Sequence, residues 1–190
     1  MKIAVFASGN GSNFQVLAEQ FPNNVKFVFS DKPNAFVLKR AEALHIPRIS
    51  FGLKEFPNKA AYEEEIAQNL ETQQIDLIVL AGYMKIIGPT ILNKYCGKII
   101  NIHPSLLPEF AGSPHAIEDS WQERTGLGVT VHYVDTGVDT GEIIAQRPVP
   151  YHDNLEKYEE KLHQIEHELY PEVVQKLIAE FEESGKQSAN

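Results

Sequence analysis

Short, almost wholly apolar runs alternate along this chain with stretches whose apolar residues recur every three or four positions. Lys2–Ala7, Val25–Ser30, Ile75–Ala81 and Lys98–Ile102 are the apolar runs, and each reads as a strand. Phe14–Gln20, Asn34–Leu44, Lys59–Thr72 and Pro89–Tyr95 carry the helical spacing between them. In the second of these, Ala35, Leu38, Ala41 and Leu44 form the stripe and Ile46-Pro47 ends it. In the third, Tyr62, Ile66, Ala67 and Leu70 share one side. Pro89 suits a first helical position, where no backbone N–H is needed. Strands that are apolar at every position belong to a sheet covered on both faces. The alternation therefore predicts an α/β protein: an open, mainly parallel twisted sheet with helices on both faces.

After Pro108 the pattern changes. Pro114–Gln122 reads as a helix, and Gly128–Val134 and Glu142–Pro148 read as a pair of strands added to the sheet antiparallel to each other. Val129, Val131 and Tyr133 fall on one face of the first of these, with Thr130, His132 and Val134 on the other. The turn between them is Asp135–Gly141. A long helical segment runs from Asn154 to about Glu183, with Pro171 marking a possible break. No repeat or linker divides the chain, so the expectation is one domain over 1–183 and a disordered tail over 184–190.

The length of 190 residues, 43% hydrophobic and 23% charged, fits an ordinary globular domain. A net charge of −9 argues against nucleic acid as a partner. No apolar run approaches the ~20 residues of a membrane span. Residues Met1–Ala7 run straight into a glycine loop without a cleavage site, and the one cysteine, Cys96, has no internal partner. The expectation is a cytoplasmic protein.

In open parallel sheets, ligands bind beyond the carboxyl ends of the strands. Four loops fit that description: Ser8–Asn13, Gly82–Lys85, Asn101–Pro108 and Asp135–Gly141. The first, Ser8-Gly-Asn-Gly-Ser-Asn13, lies between a strand and a helix, where backbone N–H groups favour an anion such as phosphate. It lacks the third glycine of a dinucleotide fingerprint and the lysine of a P-loop, which leaves a sugar phosphate or mononucleotide. The plainer alternative is a strand-to-helix turn capped by Ser12 or Asn13. Asn101 and His103 are two residues apart on a strand and so share a face. With Asp139, from Gly137-Val-Asp-Thr-Gly141, they supply an amide donor, an imidazole and a carboxylate. Those are the parts for attack on a carbonyl without a nucleophilic side chain. A lone strand-end histidine is more often structural; the paired Asn101 and the glycine-flanked Asp139 tip the balance. His132, on the strand leading to Asp139, either orients the site from behind or is an ordinary strand histidine. A metal triad of His103, His132 and Asp139 is the weaker alternative, since no close ligand pair supports it. Gly82-Tyr-Met-Lys-Ile-Ile87 mixes apolar bulk with one cation, which suits a flat aromatic ligand bearing carboxylates.

These motifs together resemble the glycinamide ribonucleotide branch of the folate-dependent formyltransferases, which share a Rossmann-like formyltransferase fold. Asn101-Ile-His-Pro-Ser-Leu-Leu-Pro108 is the element common to folate-dependent formyl transfer, and Ser8–Asn13 selects the branch. Leu80–Lys85, His132–Gly141 and Glu166-His-Glu-Leu-Tyr-Pro171 extend the likeness over nearly the whole chain. The resemblance implies that Gly11, Ser12 and Asn13 hold the phosphate of glycinamide ribonucleotide, with Met84 and Glu166 also on that substrate. It implies a reduced-folate pocket from Lys85, Ile86, Ile87, Asn101, Val134, Asp135, Thr136, Gly137, Val138 and Asp139. The co-substrate is 10-formyltetrahydrofolate, with no metal, and the protein is a monomer or homodimer acting on small molecules. Asn101, protonated His103 and Asp139 surround the formyl carbon, and the amine attacks it directly through a tetrahedral intermediate. Some relatives carry arginine where this chain has Lys85 and Lys59, and an ammonium cannot reproduce a bidentate grip on a carboxylate. Glu109–Ala116 receives no role.

Two neighbours in chemistry fit less well. A formyltetrahydrofolate deformylase resembles a longer chain with an added N-terminal domain, and a methionyl-tRNA formyltransferase needs a basic RNA surface. A non-catalytic phosphate-binding sensor accounts for the first loop but not for Asn101, His103 and Asp139 together.

Overall fold

The computed structural model describes residues 1–187. Its packing divides the chain into two compact units, Lys2–Asn101 and the residues from Ile102 onward with Met1. The fold is α/β with a mixed, mostly parallel arrangement of strands.

In the first unit, β1 (Ile3–Phe6), β2 (Val25–Ser30), β3 (Arg48–Ser50), β4 (Leu77–Leu80) and β5 (Ile99–His103, whose last two residues belong to the second unit) are all parallel. Their order is β3-β2-β1-β4-β5. Phe6 is in register with Phe29 and Leu80, and Leu80 with Asn101. The strands therefore end together, and the segments after β1 and β4 leave the sheet at one carboxyl edge. Every residue of β1 and β4 is buried, as their unbroken apolar runs require. The connecting helices are α1 (Ser12–Gln20), α2 (Phe36–Ala43), α3 (Lys59–Thr72) and α4 (Pro89–Lys94).

Sequence dictates α3 at both ends. Asn58 is its N-cap, the side-chain Oδ1 accepting from Ala61 N at 2.9 Å. Past Gln73 the chain turns at Gln74, whose φ is 54°, and Ile75 N closes on Leu70 O. Tyr62, Ile66, Ala67 and Leu70 are buried as their spacing predicts, each large side chain contributing about 1.5–3 kcal/mol. Tyr62 joins Phe6, Phe29, Phe51, Phe56 and Tyr83 in an aromatic cluster with ring centroids 5.0–6.3 Å apart. The Tyr62 and Tyr83 hydroxyls meet at 3.0 Å. The short β3 is not apparent in the sequence pattern.

The second unit holds the end of β5, then α5 (Ala116–Glu123), β6 (Gly128–Tyr133), β7 (Ile143–Pro148) and α6 (Leu155–Gln187). β6 and β7 are antiparallel, as expected, with Val129 opposite Arg147 and an irregularity between Val131 and His132. α6 buries Tyr158, Leu162, Ile165, Leu169, Val173, Leu177 and Ile178, one continuous stripe. Pro171 sits inside this helix without ending it. Residues 184–187, expected in a disordered tail, continue α6: the helix outlasts its apolar stripe because propagation adds a hydrogen bond for each residue ordered. The rest of that expected tail, 188–190, lies outside the described residues. Trp121 on α5 donates from Nε1 to His152 O at 2.8 Å and stacks on Tyr151, with ring centroids 6.4 Å apart.

Candidate active site

β5 presents Asn101, half-buried, and His103, 5% exposed, on one face. Asp139 stands in the β6–β7 connection with φ 55°, a left-handed conformation that aspartate tolerates better than most residues. That connection is folded by Asp135, whose Oδ1 accepts from Gly137 N at 2.9 Å and Thr140 Oγ1 at 2.7 Å. Gly141 closes it: a Cβ there would lie 1.7 Å from Tyr133 O, so only glycine lets the strands meet. Asp139 is thereby set between two imidazoles. His103 Nδ1 is 3.4 Å from its Oδ2, and His132 Nε2 is 3.5 Å from its Oδ1. Gly112 N–H adds a third contact, donating to Oδ2 at 2.8 Å.

The outer nitrogens of the two rings fix their tautomers. His103 Nε2 meets the Phe110 carbonyl at 3.2 Å, and His132 Nδ1 meets the Tyr133 carbonyl at 2.8 Å. A carbonyl only accepts, so each ring spends its one neutral-state proton on backbone. The other nitrogens, His103 Nδ1 and His132 Nε2, are the ones that face the Asp139 carboxylate. Burial pushes His103 below the ordinary imidazole value, and the neighbouring Asp139 charge and Phe110 carbonyl only partly restore it. Burial also works to raise Asp139, but the contacts from His132, Gly112 and His103 outweigh it and hold the carboxyl below its ordinary value. The resting cluster is an ionised Asp139 beside a neutral His103. Burial disfavours a charged imidazole at His103 in the ligand-free protein. Among the described residues, no group of three or more His, Cys, Asp and Glu is arranged to hold a metal ion.

In the first unit, Gly11 is the N-cap of α1 with φ 79°, and Ser12 and Asn13 open the helix. Val37 packs where a Gly11 side chain would go, 2.3 Å from an ideal Cβ. Val37 N–H also donates to Gly9 O at 3.0 Å. Arg40 grips Asn10 through Nε to O at 2.8 Å and Nη2 to Oδ1 at 2.6 Å, and it also bonds Gln15. Ser8 ties this loop to the one after β4: its Oγ donates to Asp31 Oδ1 at 2.5 Å and accepts from Met84 N at 2.8 Å. Met84 and Ile86 are 69% and 61% exposed, apolar side chains open to a ligand, whereas Ile87 is buried. Lys85 is exposed. Lys59 Nζ donates to Ile86 O at 2.8 Å, and buried Glu63 accepts from Gly88 N at 2.6 Å, so α3 braces this loop.

In the second unit, Val134 is half-buried, Asp135, Thr136 and Gly137 are exposed, and Val138 is 47% exposed. Glu166 on α6 is 7% exposed and accepts from His163 Nδ1 at 2.9 Å. That hydrogen bond is the foremost cause holding His163 above the ordinary imidazole value. Sequence reasoning gave His163 no role; its i,i+3 spacing from Glu166 was the available signal. It also left Glu109–Ala116 without a role, yet Phe110 and Gly112 supply backbone groups to His103 and Asp139.

The fold and this cluster define an α/β protein with a carboxylate set between two imidazoles, an arrangement that can hold charge and move protons. The chain belongs to the formyl transferase family, whose model matches residues 1–174. It is 48% identical over 185 residues to the phosphoribosylglycinamide formyltransferase of Bacillus subtilis, covering 93% of this chain and 94% of that one. The crystal structure of phosphoribosylglycinamide formyltransferase from Streptococcus pneumoniae superimposes with a TM-score of 0.88 at 56% identity, covering 93% of this chain and 98% of that one. Glycinamide ribonucleotide transformylase 1 from Geobacillus kaustophilus gives 0.85 at 49% identity, covering 93% and 97%.

Proposed function

We propose that this protein transfers the formyl group of 10-formyltetrahydrofolate to the amine of glycinamide ribonucleotide in purine biosynthesis. The products are formylglycinamide ribonucleotide and tetrahydrofolate. The observation that carries the reading is the ionised Asp139 flanked by His103 and His132, with Asn101 on the same strand face as His103.

The substrate amine attacks the formyl carbon and a tetrahedral intermediate forms. Asn101 donates to the oxyanion, and fixed donors of this kind act without reorganising during the reaction. His103 begins neutral and charges as the attacking nitrogen sheds its proton. Asp139 stabilises that imidazolium, and the same proton then passes from His103, through water, to the folate nitrogen that leaves. His132 holds Asp139 from the other oxygen. No proton is gained or lost overall.

Gly11, Ser12 and Asn13 take the substrate phosphate in this reading, and Met84 and Glu166 contact the rest of that molecule. Lys85, Ile86, Ile87, Asn101 and residues Val134 to Asp139 take the folate. The exposure of Met84 and Ile86 in the loop after β4 leaves apolar side chains open to a flat ligand, which supports that part of the reading. The proposal takes in a cytoplasmic protein, monomer or homodimer, with small-molecule partners.

A spectrophotometric assay with each substrate omitted in turn tests it. Turnover that requires both substrates is the expected result. Folate consumption without the ribonucleotide would replace the reading with a deformylase, and no turnover by folded protein would favour a binding module.

A further inference from the structure

The two backbone groups that touch the catalytic candidates, Phe110 C=O and Gly112 N–H, both come from the segment that leaves β5. That segment has its own anchor, remote from the reacting atoms. Thr130 on β6 is fully buried and its hydroxyl serves three partners. It donates to Ser105 O at 2.7 Å and accepts from Leu107 N at 3.0 Å. It also accepts from Gln146 Nε2 at 2.9 Å. The same Gln146 amide donates to Leu107 O, again at 2.9 Å. Ser105 Oγ carries the chain of contacts forward to Glu109 O at 2.6 Å. The next residue, Phe110, has φ 57° and offers its carbonyl to His103 Nε2.

We propose that Gln146 is a positioning residue for His103: with Thr130 it pins the Ser105–Leu107 backbone, which sets the Phe110 carbonyl that fixes the imidazole tautomer. The inference rests on the formyl-transfer reading for its kinetic consequence, though not for the wiring itself. Gln146 suits the task because a primary amide has two N–H donors, and here they reach two acceptors on different elements. Neither methionine, with no donor, nor glutamate, ionised and acceptor-only, can do this. The Gln146 side chain is exposed and touches no reacting atom, so its loss acts through His103 or not at all.

The test compares wild type, Gln146→Met and Thr130→Ser by ring-nitrogen NMR of His103 across pH and by steady-state kinetics. In Gln146→Met the Nε2–H tautomer loses its preference, and the His103 titration moves to lower pH because an acceptor favouring the charged ring is displaced. The kcat falls by up to roughly 100-fold, the scale of a small misplacement of a catalytic group, while KM for each substrate stays near wild type. Thr130→Ser keeps the hydroxyl and retains the wild-type tautomer and titration. An unchanged His103 titration in Gln146→Met overturns the proposal whether or not the rate falls, since any rate loss then bypasses His103. A wild-type protein without formyl transfer would remove the functional reading, and the NMR comparison would still decide the wiring.

Discussion

His103 and His132 sit on opposite oxygens of one carboxylate, Nδ1 to Oδ2 at 3.4 Å and Nε2 to Oδ1 at 3.5 Å. Each ring is turned by a backbone carbonyl on its far side, so the Asp139 carboxylate is the place where an incoming proton is felt by both.

Replacing Asp139 with Asn removes the charge and keeps the shape. We expect kcat to fall by about 10²–10⁴-fold, the range associated with proton transfer by a positioned group, with ligand binding by calorimetry retained. Because its carboxyl is held below the ordinary value, Asp139 stays ionised in mildly acid solution. The stability it contributes is present above the ordinary carboxylate value and is lost as pH falls through the lowered one. Asp139→Asn should therefore be less stable than wild type near neutrality, with the gap closing as pH falls through that lowered value.

Gly11→Ala should damage the first loop twice over. The new methyl group would meet the Val37 side chain at 2.3 Å, at a backbone φ of 79°. Overpacking of this kind costs about 1–3 kcal/mol. Thermal melting should register that loss, and KM for glycinamide ribonucleotide should rise more than KM for the folate. An equal rise in both would argue against phosphate on this loop.

Glu63 is a buried carboxylate whose work lies in the loop after β4. Glu63→Ala leaves Gly88 N–H without its acceptor and Lys59 without its i,i+4 partner. An orphaned buried donor costs about 1–3 kcal/mol, and each kcal/mol lowers the melting temperature by roughly 2–4 °C in a chain of this size. Differential scanning calorimetry of the variant checks the figure.

The His163–Glu166 pair carries a pH signature of the opposite sign to Asp139. His163 is held above the ordinary imidazole value, so its stabilisation is complete below that value and fades as pH rises through the raised one. The melting-temperature gap between wild type and His163→Ala should be widest near pH 6 and narrow by pH 9, on either side of the imidazole range. A gap constant over that interval would show that the ion pair contributes nothing.

Much of this fold can be read from spacing alone. Val25–Ser30 and Lys59–Thr72 have the predicted limits because an apolar run and an Asn-capped stripe both end sharply. Arg48–Ser50 escapes notice because three residues are too few to display a period, and Ile46-Pro47 had already marked a helix end. Pro171 suggests a break that α6 does not make, since packing of its flanking apolar stripe outweighs one missing hydrogen bond. His103, His132 and Asp139 were all legible as candidates. Their carbonyl and N–H partners were not, because backbone groups leave no mark in residue type and Phe110 and Gly112 reach the cluster only through tertiary folding.

Trp121 is the chain's one tryptophan, and it lies in the second of the two packing units. Its indole is locked to His152 O and layered on Tyr151. Intrinsic emission excited at the indole band is therefore a local thermometer for that half, whereas far-ultraviolet dichroism averages over helices of both. If the halves melt as one cooperative body, the two optical traces superimpose. If they melt separately, the gap between the traces measures the autonomy of the half that carries Asp139.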